Sequence, residues 1–162
     1  MPKNEVVVSD TSPLLNLSLI GRLGLLEDHF DGLQVPIAVW EEIQRGEKGK
    51  SSLEDLREKG FLELVEADKD GFFKELMSDL DLGESAAIRY AIEKEADLIL
   101  LDEREGRKRA KRHGLNSTGV IGILLRANEK KDIDMKEELD SLEEAGFWIS
   151  EDLCQKILEK SE

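Results

Sequence analysis

Cysteine is almost absent from this chain: Cys154 is the only one in 162 residues. No intramolecular disulfide can form, so any core is held by packing alone. Without a histidine beside it, Cys154 reads as a packing residue and not as a nucleophile. Histidine is nearly as scarce, and His29 and His113 stand too far apart in sequence to suggest a metal pair. Proline appears three times, and no Pro-, Gly- or Ser-rich stretch marks a linker. One domain is expected over residues 1–150, with a helix over 151–162 packed on that domain or on a partner chain. Aromatic residues make up 5%, and Trp40 and Trp148 read as core or interface. No apolar run approaches the ~20 residues of a spanning helix. The N-terminus has no basic segment leading into an apolar one. The expectation is a cytoplasmic protein with no membrane partner.

Charge, by contrast, is abundant. Lys and Arg number 23 and Asp and Glu 37, for a net −14. Such a field repels phosphates and argues against a nucleic-acid partner. Its distribution argues the other way. Residues 104–113, REGRKRAKRH, carry a local +5 and leave −19 for the rest. A basic patch on an acidic body can hold a polyanion, although a run of charge also suits a solvated helix face. The 37% charged content, with few amides, leans towards a thermophilic source.

Apolar patterning gives the fold class. EVVVS (5–9) and DLILLD (97–102) are short, β-branched or apolar, and read as buried strands. LQVP (33–36), FLELVEA (61–67) and LNSTG (115–119) add three weaker ones. Helical patterns lie between them, including SAAIRYAIEKEA after Gly83 and Glu84, and the basic run closed by Gly114. Thr11 or Ser12 is placed to cap the helix that follows the first strand. Strands alternating with helices imply an α/β fold with a parallel sheet covered on both faces. Binding sites of such sheets lie beyond the carboxyl ends of the strands. Asp10 ends the first strand and Asp102 the fourth.

Two further acids sit on helices, Glu42 and Glu84. Either Glu41 or Glu42 can be the inward one of its pair, and Glu103 and Glu105 compete beside Asp102. Clustered carboxylates cannot all stay ionised without a counter-charge. A hard divalent cation supplies one, and oxygen-only ligation suits Mg²⁺ or Mn²⁺. Such an ion can activate water against a phosphodiester.

The stretches VVSDTSPLLNL, PIAVWEEI, LDLGESAAIRYA and LILLDEREGRKRAKRHGL, followed by TGVIGILLRA and GFWIS, resemble the PIN-domain superfamily. They are most similar to its toxin-like DUF3368 branch. The resemblance covers residues 5 to 150. It implies a three-layer, Rossmann-like α/β/α domain around a parallel sheet of about five strands, carrying a metal-dependent ribonuclease site. Carried over by motif, the four catalytic and metal-binding acids fall on Asp10, Glu42, Glu84 and Asp102. Glu105 is the nearest candidate for a further metal ligand. Ser12 looks like the hydroxyl that supports the site. The threonine usual before the fourth acid is here Leu101. The resemblance also implies RNA as partner, homodimers, and an antitoxin protein encoded nearby.

Two other folds with an aspartate after the first strand are excluded. A haloacid-dehalogenase phosphatase needs a second aspartate where Ser12 stands. A receiver domain needs a lysine that residues 115–119 lack. The remaining alternative is a PIN fold that binds RNA or regulates without turnover. For RNA binding, about 3.6 residues per turn puts Arg104, Lys108 and Lys111 on one stripe, with Arg107 and Arg112 further round. The apolar run LLNLSLIGRLGLL (14–26) is the candidate dimer surface.

Overall fold

Val7 and Val8 divide the molecule between two cores. Successive residues of a strand face opposite sides of a sheet. Val7 packs into one apolar cluster and Val8 into the other. A computed structural model describes residues 5–130 and 133–161. In chain order the elements are β1 (Val7–Ser9), α1 (Thr11–Leu19), α2 (Gly24–His29), β2 (Leu33–Pro36), α3 (Ile37–Arg45), α4 (Lys50–Glu58), β3 (Leu62–Val65), α5 (Gly71–Leu76), α6 (Leu82–Glu93), β4 (Leu98–Leu100), α7 (Arg104–Arg112), β5 (Ser117–Thr118), α8 (Val120–Glu129), α9 (Met135–Glu144) and α10 (Glu151–Lys160).

The five strands form one all-parallel sheet in the order β3-β2-β1-β4-β5. The α/β class and the strand count expected from the sequence are thus the observed ones. Helices α5, α6 and α7 cover the Val8 face through Leu76, Ile88, Tyr90 and Ala110. Leu14 and Leu17 of α1, Leu26 of α2, Ile123 and Leu124 of α8 and Leu139 of α9 cover the Val7 face. The chain adds β2 and β3 on one side of β1, then returns to add β4 and β5 on the other. The strand order therefore reverses between β1 and β4, the position where open α/β sheets place their ligands. Asp10 and Asp102 flank that point.

Two local expectations change. The residue capping α1 is Asp10 and not Thr11 or Ser12, and it makes no side-chain capping bond. The Asp10 backbone N–H instead donates to Leu100 O at 3.0 Å, so strand pairing runs one residue further before the helix turns in. The apolar run over 14–26 is mostly consumed by the chain's own core: Leu14, Leu17, Leu23, Leu25 and Leu26 are buried, and Leu19 is exposed. Its leucines fill the Val7-face core instead of offering a free face for a second copy. At the other end, Ser150 caps α10 by accepting from the Leu153 N–H, and Ile157 joins Leu139 and Leu142 in the core. Among the described residues no helix is long and apolar enough to cross a membrane.

Candidate active site

The pleat of the sheet decides where each strand-end acid points. Val8 faces α6, and Asp10, two residues on, follows it to that side. A Cβ built on Gly83 of α6 would lie 3.1 Å from Asp10 Oδ1 and 3.0 Å from Glu42 Oε1. Asp10 and Glu42 therefore border the same point above α6. Ser9 pairs with Leu100, so Asp102 is one step out of phase with Asp10 and turns to the other layer. There Asp102 accepts hydrogen bonds from Asn16 Nδ2 of α1 at 3.0 Å and from the Val120 N–H at the start of α8 at 2.8 Å. Its Oδ1 also lies against Gly119. The two aspartates share the rim but lean to opposite faces of it.

The helix acids are set by their own local geometry. On α3, Glu42 is half-buried and Glu41 exposed. Glu42 Oε1 accepts from the buried Thr11 hydroxyl at 3.1 Å. On α6, Asp81 and Glu84 form a reciprocal capping box. Asp81 Oδ1 accepts from the Glu84 N–H at 2.8 Å, and Glu84 Oε1 accepts from the Asp81 N–H at 3.3 Å. That leaves Glu84 Oε2, which is buried and has no hydrogen-bond partner among the described residues. It rests against Gly106 of α7, whose Cβ would sit 3.0 Å away.

Burial dominates the electrostatics. Asp10 is 4% exposed, and its carboxyl is pushed up from 3.8 to about 8. Burial is the main cause. The Thr11 backbone N–H offsets part of it, and the charges of Asp81, Glu84 and Glu42 add to it. Burial also raises Glu84, with help from Asp81 and Glu103. It raises Asp102 as well, against the pull of the Val120 N–H, Asn16 and Arg107. Burial thus disfavours charge on Asp10, Glu84 and Asp102 alike.

Among the described residues no three acids, histidines or cysteines are gathered closely enough to hold a metal ion as they stand. As they stand, Asp102 is tied to Asn16 and Val120, and one Glu84 oxygen is tied to the capping box. The donor set nevertheless fits a hard cation. All the donors are oxygens, Glu84 Oε2 lacks a partner, and the point above Gly83 is bordered by two carboxylates and kept free of a side chain. Magnesium keeps several waters and is commonly held by one or two carboxylates.

Glu105 is exposed and reaches Lys108 at 3.8 Å; Glu103 is the neighbour whose charge reaches both Glu84 and Asp102. Ser12 is half-buried, and the hydroxyl that contacts a site carboxylate is Thr11. Reading by residue missed Asn16, Thr11 and Asp81. Only Asp81 carried a signal, since D-x-x-E before an apolar helix is a capping-box pattern.

Of the basic run, Arg104, Arg107, Lys108 and Lys111 line a groove of about 400 Å³ with Leu115, Asn116 and Ser117. Arg107 joins the expected stripe. The groove runs along α7 beside the residues that lead into the outer strand β5. Arg109 is different. It is 7% exposed and donates to Glu75 at 2.6 Å and Asp79 at 3.1 Å. An Arg109→Ala protein is expected to lose about 2 kcal/mol of stability in urea unfolding, with RNA binding unchanged at temperatures where it stays folded. Weakened RNA binding in the folded variant would return Arg109 to the groove.

The DUF3368 family model, a PIN domain, matches residues 6–162. No curated protein matches the chain.

Proposed function

We propose that this chain, which belongs to the DUF3368 family of PIN domains, is a ribonuclease that works with Mg²⁺ or Mn²⁺. The observation that carries the reading is Asp10: a carboxylate buried at the switch point of a parallel sheet and bordering the same space as Glu42. A charge so placed is costly unless something compensates it. In this reading Asp10, Glu42, Glu84 and Asp102 hold the cation. When bound, it activates water and stabilises charge on a phosphodiester.

The remaining work belongs to the chain's own residues. Thr11 fixes the Glu42 carboxylate through its hydroxyl. Asp81 holds one oxygen of Glu84 in the capping box, which leaves the other for a ligand. Asn16 orients Asp102. Arg104, Arg107, Lys108 and Lys111 hold the RNA backbone along α7. Toxin action with a protein antitoxin, and homodimers, are finer proposals that rest on the family alone.

The test is incubation of the purified chain with RNA and Mn²⁺, with and without EDTA, beside a Glu84→Gln variant. Cleavage that requires the metal and is lost in the variant is expected. Metal-independent cleavage, or equal cleavage by the variant, defeats the reading. The alternative is RNA binding without turnover, favoured by the ties that hold Asp102 away from Asp10. It predicts tight RNA binding with no cleavage at any metal concentration.

A further inference from the structure

We propose that Gly83 and Gly106 are positioning residues, whose missing side chains leave the room in which Asp10, Glu42 and Glu84 turn to a divalent cation. This rests on reading those acids as metal ligands. Both glycines lie inside helices, α6 and α7, and neither has the positive φ that would demand glycine. Both stand in the first turn, and alanine is in general the better helix former, so their backbone does not demand glycine. Space does. A Cβ at Gly83 would lie 3.0 Å from Glu42 Oε1 and 3.1 Å from Asp10 Oδ1, and one at Gly106 would lie 3.0 Å from Glu84 Oε2. Outside the helix's own backbone, the atoms nearest to such a Cβ are carboxylate oxygens at both positions. Gly24 and Gly71, also within helices, have nothing within 4 Å of their Cβ positions, so contact with an acid is not general to helix glycines here. The Glu84 oxygen facing Gly106 is the buried one without a hydrogen-bond partner among the described residues.

A methyl group at either position can be accepted if the carboxylate ends swing aside. The fold then survives, and what changes is where the acids point. Stability and metal affinity should therefore separate, which a purely structural role for the glycines does not predict.

The experiment is calorimetric titration of Mn²⁺ alone into the full chain and into Gly83→Ala, Gly106→Ala and the control Gly71→Ala, with thermal unfolding of each metal-free protein. The parent and Gly71→Ala should bind alike. Gly83→Ala and Gly106→Ala should bind about 10–100-fold more weakly, with unfolding temperatures equal to or above the parent's. Parental affinity in either variant overturns the proposal. So does a variant that fails to fold, or whose unfolding temperature falls along with its affinity, because the glycine is then a packing requirement. If the parent itself takes up no Mn²⁺, the metal reading of the acids fails first and this proposal with it; the two failures are told apart by the parent's own titration.

Discussion

An Asp10→Asn protein is expected to lose metal-dependent RNA cleavage by on the order of 10³-fold or more, and yet to unfold at a higher temperature than its parent at pH 7 without metal. Both effects come from one buried carboxylate. Burial raises its pKa from 3.8 to about 8 in the folded state. The folded chain therefore binds the proton more tightly than the unfolded chain does. Stability from this group is fully present below about pH 4 and is lost as pH rises through 8. At 1.36 kcal/mol per pKa unit, the loss amounts to about 4 kcal/mol by pH 7. Asparagine keeps the shape without the charge, so the variant should avoid that loss and gain roughly 10 °C in unfolding temperature. Its stability should also change less than the parent's between pH 4 and 8. Divalent cation should narrow the gap by stabilising the parent alone. A variant less stable than its parent at pH 7, or a parent whose stability rises from pH 4 to 8, would show that Asp10 is ionised without cost. Asp10 would then need no cation to compensate its charge.

The fold was legible because its signals are local and strong. Val6, Val7 and Val8 admit little but a strand, and LILL repeats the signal; β2 falls on the four residues read for it. Strand ends then place Asp10 and Asp102 at one rim once β1 and β4 are neighbours, as they are in the sheet. What local pattern does not give is the phase between strands. The face on which Asp102 emerges depends on Ser9 pairing with Leu100, a register set by long-range packing. Helix phase was hidden in the same way. Gly106, Arg109 and Ala110 form the buried stripe of α7, a spacing of three and four that ordinarily marks a core face. An arginine in the middle disguised it. Its partners Glu75 and Asp79 lie about thirty residues away in sequence, on and just after α5. Thr11 and Ser12 were indistinguishable as residues. The turn straight from Asp10 into α1 buries Thr11 and directs its hydroxyl to Glu42, while Ser12 is left half-buried.

Replacing Arg104, Lys108 and Lys111 together by alanine should weaken RNA binding by roughly 100-fold at low salt and flatten its salt dependence, while Mn²⁺ binding is retained. Electrostatics sets the effect. A body carrying −19 outside residues 104–113 disfavours RNA in general, so binding should lean on the α7 groove, whose charged lining residues are all cationic. Glu105 is the only acid within that run, and it engages Lys108 at 3.8 Å with both side chains largely exposed. An exposed pair of this kind binds weakly and yields to a phosphate. Each phosphate neutralised contributes about −0.7 to the log–log salt slope for a single strand, so three lost contacts should reduce the slope by about 2. Arg107 is left in place because its charge bears on Asp102, and its removal would mix substrate binding with the metal site. Arg112→Ala serves as the control, since Arg112 is exposed on the same helix but is not among the residues lining the groove. Parent and triple variant should converge in affinity as salt rises, because the lost term is counterion release and not shape. Equal slopes for parent and triple variant would make this helix face a solvated surface, and would move the RNA path to the side of the rim formed by α3 and α6.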